Sequence, residues 1–273
     1  MCGGTVQMEV EFPGDHKAAM KQARGKLMDW NRSNIRVGNK TAVVSSKAPD
    51  DFSFYQFGFT PFWARKNMYV INARSEGDNN KENDPMYDGP LGITKKPFFR
   101  AAIQSQRCII PVTGFIEGPK KEKYSKPYLI HKRDPHHSIF LAGIWDTWED
   151  KEHEKEINTF AIMTTVANDL LHKVGHHRSP VVLEGDEIEQ WMDMDNDIES
   201  VLQLLKPFDS TEYNAYRIDP ALKSGKNKSW DLYRPHGPNL NDTFPENWYA
   251  DHLEPMIEKV KGRESPDLFN NPN

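Results

Sequence analysis

The residue with the most chemistry open to it is Cys2. The residue after Met1 is small, so loss of Met1 would leave Cys2 as the chain terminus. A terminal amine with a pKa of about 7.7–8.0 is appreciably neutral and nucleophilic near pH 7. Beside it stands a thiol on the same residue. Such a pair can hydrolyse an amide, the thiol attacking and the amine serving as base. It can also capture an aldehyde: the amine forms a Schiff base and the thiol closes a five-membered thiazolidine. Position alone decides nothing, because a second residue is most often only a chain end. Three further segments bear on it. Residues 70–77 (VINARSEG) carry Asn72, Arg74 and Glu76 into a polar turn. Residues 107–118 (RCIIPVTGFIEG) form an apolar run ending on Glu117 beside many lysines. Residues 160–183 present His176, His177 and Arg178 in a sharp loop. Taken singly, a strand-end Glu or a loop His is more often structural.

The elements that must hold these groups are mostly strands. The spacing predicts a helix over 15–30, β-rich runs at 41–46, 52–59 and 68–72, and an exposed loop over 77–92. A helix at 97–104 follows, with Pro97 in its first turn. Then come strands at 107–115, 127–131, 138–145 and 157–165, and a short helix at 167–173. A strand at 180–183, acidic helices within 186–205 and a last strand at 213–218 complete the body. Beyond 219 the chain turns to Pro, Asn, Gly and Lys and reads as a loosely packed extension with a disordered end. Strands without regular intervening helices give α+β, mostly antiparallel, in place of a doubly wound sheet. Neither GxxxxGK[ST] nor GxGxxG occurs.

Length and composition set the remaining bounds. With 273 residues, 37% hydrophobic and 11% aromatic, the chain can bury a core without disulfides or metal. Two cysteines build neither a disulfide framework nor a zinc site, and Cys108, in an apolar run, reads as a buried thiol. His136, His137 and His153 lack metal-ligand spacing, so no metal is expected. No apolar run is long enough for a membrane helix and no signal segment opens the sequence; the expected location is cytoplasmic. The net charge of -5 hides a segregation. Residues 95–133 hold ten basic and two acidic side chains, net +8, while 184–199 hold eight acidic and no basic, net -8. Solvated faces account for most such runs; a basic face for an anionic polymer is the sharper alternative.

Five segments in order carry a resemblance: MCG at the start, FGFTPFWA (57–64), NARSE (72–76), RCIIPVTGFIE (107–117) and TTVANDLLHKVGHHRSPVVL (164–183). Together they resemble the SRAP (SOS response-associated peptidase) family, abasic-site processing proteins whose members carry MCGR, WG-x-x-P-x-W, NARSE(T), RRCLIP-x-x-GFYEW and ANxxxxxIHxRMPVIL. The resemblance implies an α+β, antiparallel β-rich, partly barrel-like core with peripheral helices over 1–220, followed by an extension over 221–273. It implies binding of single-stranded DNA and capture of abasic sites as a Cys2 thiazolidine crosslink, nucleoid-associated when DNA-bound. By the same resemblance Cys2, Asn72, Glu117 and His176 are catalytic. Asn72 orients the terminal cysteine, Arg74 and Arg178 hold phosphates, and Trp63 and Phe57 pack around the DNA cleft.

These roles make chemical sense. A histidine with an ordinary pKa of about 6.5 can open the sugar's hemiacetal. Glu117, if burial raises its pKa, can supply the proton for water loss. An abasic-site lyase side activity and self-processing follow from the same groups. The expected partner is single-stranded DNA containing abasic sites, with replication-associated proteins as further candidates. A monomer without membrane, metal or cofactor is expected. Gly4, Phe57, Gly118 and Ser179 stand where the family usually has Arg, Trp, Trp and Met. Gly4 removes a cation beside the nucleophile, and Gly118 is expected to leave Glu117 less shielded. Two rivals stay open: an N-terminal-nucleophile peptidase or amidohydrolase, and a non-catalytic single-stranded DNA-binding module.

Overall fold

The computed structural model describes residues 3–11, 13, 30–134, 137–245 and 247–261. Cys2 and all but the last residue of the helix expected over 15–30 lie outside the described residues. In chain order the strands are β1 (Gly4–Gln7), β2 (Arg32–Ile35), β3 (Lys40–Ser45), β4 (Ala48–Phe57) and β5 (Asn72–Arg74). They continue with β6 (Arg107–Val112), β7 (Gly114–Glu117), β8 (Tyr128–Lys132), β9 (Ile139–Asp150) and β10 (Lys155–Val166). The last three are β11 (Arg178–Pro180), β12 (Val182–Leu183) and β13 (Tyr213–Arg217).

Five of these strands close on themselves. The order β10-β4-β3-β6-β9 returns to β10 through the antiparallel β9–β10 hairpin, and only the β4–β10 pairing in this ring is parallel. Closure leaves this ring without edge strands, which need other protection in an open sheet. Both faces are apolar because both are covered. Cys108, Ile110, Phe160 and Ile162 join one core cluster, while their neighbours Ile109, Ala161 and Met163 join another beneath the helices. That double burial is why these strands read as continuous apolar runs. The α+β, partly barrel-like architecture expected from the sequence is the one observed.

A second sheet, β13-β8-β7-β1-β2, is antiparallel throughout. The run expected as one strand over 107–115 is divided at Thr113, so that β6 serves the barrel and β7 the second sheet. The Thr113 hydroxyl donates to Met8 O and accepts from Met8 N, fixing the division. Gln7 joins the two sheets: its amide donates to Ala42 O and Pro111 O, each at 2.8 Å.

The tail departs from expectation as far as residue 261, for it is packed; the end expected to be disordered lies outside the described residues. Leu222, Leu232, Tyr233, Phe244, Trp248, Leu253, Ile257 and Val260 are buried with Val6, Met8, Ile116 and Leu129 of the second sheet. Trp248 stacks on His131 at 3.7 Å and its indole N–H donates to Arg133 O. The apolar residues sit between turns with no regular period, so the sequence pattern shows no element although burial is extensive. The helix Glu254–Lys261 closes this layer. Among the described residues no helix is long and apolar enough to cross a membrane.

Candidate active site

Strand register starts the site. β1 pairs β7 with Gly4 opposite Ile116, so Glu117 lies one residue past that pair, toward the start of β1. Cys2 is outside the described residues, yet two residues of chain span at most about 7 Å, which bounds its distance from Gly4. Glu117 is 3% exposed. Burial pushes its carboxyl up to about 7, against the opposing pull of the Arg36 guanidinium. Gly118 does not open this carboxylate to water. A Cβ at 118 would run into the carbonyl of Lys123, because the turn through 119–125 folds directly over it. The expected loss of shielding is therefore corrected: backbone fills the space.

His176 arrives by helix capping. Asn168 Oδ1 accepts from Leu171 N to start the helix Asp169–Val174, and Gly175 ends it at φ 84°, a left-handed geometry suited to glycine. The chain is thereby turned so that His176 Nε2 lies 3.5 Å from Glu117 Oε2. Its Nδ1 is 2.9 Å from Arg178 O and 3.3 Å from Arg178 N; the shorter contact, to the carbonyl, assigns the proton to Nδ1 and the lone pair to Nε2, facing the carboxyl. Burial, reinforced by the positive charges of Arg178 and Lys120, lowers His176 to about 4. The ordinary value near 6.5 expected from sequence is thus corrected, and the imidazole is neutral at pH 7. The buried pair is accordingly an uncharged imidazole facing a carboxyl that is partly protonated near neutrality. Such a pair offers one base and one acid at the same pH.

Asn72 stands on β5, which pairs in parallel with β10 at Ile162. Both its Oδ1 and its Nδ2 are buried and find no hydrogen-bond partner among the described residues. A buried primary amide with neither end satisfied costs free energy unless a ligand completes it. His177, 4.9 Å from His176 ring to ring, is lowered to about 4 by burial and by its neighbour.

The expected phosphate contacts divide. Arg74 is half-buried and gives one hydrogen bond, Nη1 to Asn83 Oδ1 at 2.8 Å. Arg178 is 2% exposed and forms a two-pronged ion pair with Glu76, at 2.7 and 2.9 Å, and also donates to Thr164 O. Its expected role as a phosphate ligand is corrected: the guanidinium is committed to tying the 72–76 turn to the 176–180 loop. Glu76, its partner, is the residue sequence reasoning left without a role. Arg107 likewise stays inside, donating to Ile103 O, Gln104 O, Trp191 O and Asp193 O at two helix ends.

Phe57 is corrected too. It is 1% exposed and stacks on Phe160 at 5.1 Å in the barrel interior, so it supports the cleft without facing it. Trp63 is 53% exposed, and Phe62, Met68 and Tyr69 are exposed with it. This loop is firmly held: Phe62 N donates to Asp146 Oδ2, and Trp148 Nε1 to Ala64 O. The density of aromatics in 57–69, beside glycine and proline, is the signal that points to Phe62 and Tyr69. Exposed aromatic rings on a rigid loop suit stacking against bases. Cys108 is fully buried, and burial pushes its thiol far up, as befits an inert side chain. Among the described residues no cluster of His, Cys, Asp or Glu could hold a metal ion.

Comparison with known proteins bears out the family resemblance read from the sequence. The family model for SOS response associated peptidase (SRAP) matches residues 1–224. The abasic site processing protein YoqW of Bacillus subtilis is 27% identical over 202 residues, covering 72% of this chain and 83% of its own. The abasic site processing protein YMR114C of Saccharomyces cerevisiae is 29% identical over 224 residues, covering 77% of this chain and 54% of its own. A crystal structure of a protein from Bacteroides thetaiotaomicron superposes with a TM-score of 0.66 at 26% identity, covering 86% of this chain and all of that one.

Proposed function

The chain belongs to the SRAP family, and from that premise we propose that it captures abasic sites in single-stranded DNA through Cys2. The observation that carries the reading is the buried Glu117–His176 pair at the end of β1 nearest the terminus, and the buried, unpartnered amide of Asn72 supports it. Neutral His176 accepts the hydroxyl proton of the closed sugar and returns it to the ring oxygen as the bond from C1 to that oxygen breaks, giving the aldehyde. The Cys2 amine adds to that carbon, and the carbinolamine loses water using the proton of Glu117. The thiol sulfur then attacks the carbon of the resulting iminium; its proton returns to the Glu117 carboxylate and the ring closes. Asn72 supplies two donors and an acceptor without titrating, which suits it to holding amine and thiol. No redox change occurs, and one water leaves. An imine that lingers before ring closure gives lyase cleavage as a side reaction.

Single-stranded DNA is held by Arg74 and by stacking on Trp63, without base specificity at the lesion, which has no base. The test is incubation of protein lacking Met1 with an oligonucleotide bearing one abasic site, followed by a denaturing gel. A shifted band that disappears in Cys2→Ala is expected. No shift with wild type, or a shift retained in Cys2→Ala, sinks the reading. Cleavage of a small amide substrate in place of the shift transfers the site to the hydrolase rival.

A further inference from the structure

Gly4 opens β1 without a side chain, and the space its side chain would enter is already occupied. A Cβ at position 4 would meet Arg36 Nη1 at 3.1 Å, Arg36 Cζ at 3.3 Å and the Tyr124 hydroxyl at 3.3 Å. Arg36 comes from the loop after β2. Its guanidinium lies 3.8 Å over the ring of Tyr124, and its Nε donates to Asn34 Oδ1 at 2.6 Å and its Nη2 to Leu222 O at 3.0 Å. Nη1, the edge toward Gly4, finds no hydrogen-bond acceptor among the described residues. The cation is thus fixed in place with donors left over.

The tail brings a second cation, Lys228, within electrostatic reach of Arg36. Asn34, buried at φ 46°, donates from one amide group to Leu222 O, Ser224 O and Asn227 O. Those three bonds fold the segment 222–228 (LKSGKNK) against β2, and Gly225 packs on the Arg36 side chain. Lys228 then turns its ammonium to Asn34 O at 2.6 Å. Partial burial, with the charges of Arg36 and Arg32, lowers Lys228 to about 8. Like charges that act on one another in this way are costly in the free protein, and an anion bound near them removes the cost.

Resting on the abasic-site reading above, we infer that Arg36 and Lys228 form a phosphate subsite at the start of β1, built by the segment 222–228, which holds a DNA backbone phosphate beside the captured nucleotide. Arg36 thereby supplies from the loop after β2 the cation that position 4 lacks. The subsite makes the tail a part of the DNA-binding surface.

The experiment measures salt-dependent binding of the full chain to two single-stranded oligonucleotides, one intact and one with a single abasic site. Thermal melts of each variant accompany it. For Arg36→Gln, affinity at low salt falls about tenfold, as expected for loss of a charged hydrogen bond. The slope of log K against log salt becomes shallower by about 0.7, one phosphate contact on a single strand. Arg36→Lys keeps the slope and Lys228→Gln lowers it, which separates charge from any effect on folding. Gly4→Arg weakens binding in the wild-type background through the clash, and restores the slope in an Arg36→Gly background. Unchanged slope and affinity in both Arg36→Gln and Lys228→Gln overturn the inference. Should wild type bind but give no crosslinked band, the capture reading fails, while the slopes on the intact strand still judge the subsite.

Discussion

Glu117→Gln keeps the shape of a side chain that is 3% exposed and removes its titration. The carboxyl titrates at about 7 in the folded protein and at 4.5 without the fold. Between those values the folded state holds a proton that the unfolded chain has released. Stability therefore falls as pH rises from 4.5, and the loss is complete once pH passes the folded value. A tenfold change in proton affinity is worth about 1.36 kcal/mol, so the whole loss is about 3 kcal/mol. His176 works in the opposite direction. Its folded value is lowered to about 4, so its contribution is lost as pH falls from 6.5 toward 4. The amide in Glu117→Gln abolishes only the alkaline limb. Urea unfolding of both proteins across pH 4.5 to 8.5 measures the difference directly. The variant should gain about 3 kcal/mol on wild type between the ends of that range, while its acid limb stays. A difference curve flat to within about 0.5 kcal/mol refutes the claim that burial holds Glu117 protonated. The same variant should lose crosslinking at pH 7, because Gln cannot supply the proton for water loss.

Other expectations follow from the corrected roles. Arg178→Met leaves Glu76 as a buried unpaired charge and should cost about 3–5 kcal/mol in urea unfolding, whereas Glu76→Gln with Arg178→Met should recover much of that loss. Arg74→Ala should leave stability within about 1 kcal/mol but lower the salt slope of DNA binding by about 0.7. Trp63→Ala should weaken binding to intact single strands by about 1–3 kcal/mol, measured by fluorescence titration, with little change in melting. Trp248→Ala should destabilise the whole chain by about 3–5 kcal/mol, since the tail is core and not appendage. A two-step melt with a low-temperature tail transition is the result that would contradict it.

Much of this molecule is legible in its sequence, and the illegible parts share a cause. Alternating and continuous apolar runs locate β3, β4, β6, β8, β9 and β10 within a few residues, because burial of a strand face leaves a local pattern. The division at Thr113 is invisible, since β6 and β7 are equally apolar and only their partners differ. Asn72, Glu117 and His176 can be named from motifs, yet the 3.5 Å approach of the last two depends on a helix ending at Gly175. Arg178 shows the limit most clearly. An arginine in a motif has the same letter whether it faces a phosphate or is clamped by Glu76, and only the fold chooses. Gly4 and Gly118 read as losses from the family pattern; in space Arg36 and the Lys123 backbone occupy what they vacate.

Strand β10 touches β4, β5, β9 and β11, and through them it gathers segments from most of the chain. Such a strand has few sequence-local contacts apart from its hairpin with β9, so its other pairings must await closure of long loops. Folding of this kind is slow, with the search for distant partners as its bottleneck. Asn72 sits on β5 and His176 just before β11, so neither reaches its place until β10 is flanked on both sides. On the proposed capture by Cys2, a chain caught midway through folding has the amine and thiol in its sequence but no Glu117–His176 pair or placed Asn72 amide to direct them. If that proposal holds, competence is tied to completion: indiscriminate aldehyde capture by a half-made protein would be limited by the same topology that later assembles the site.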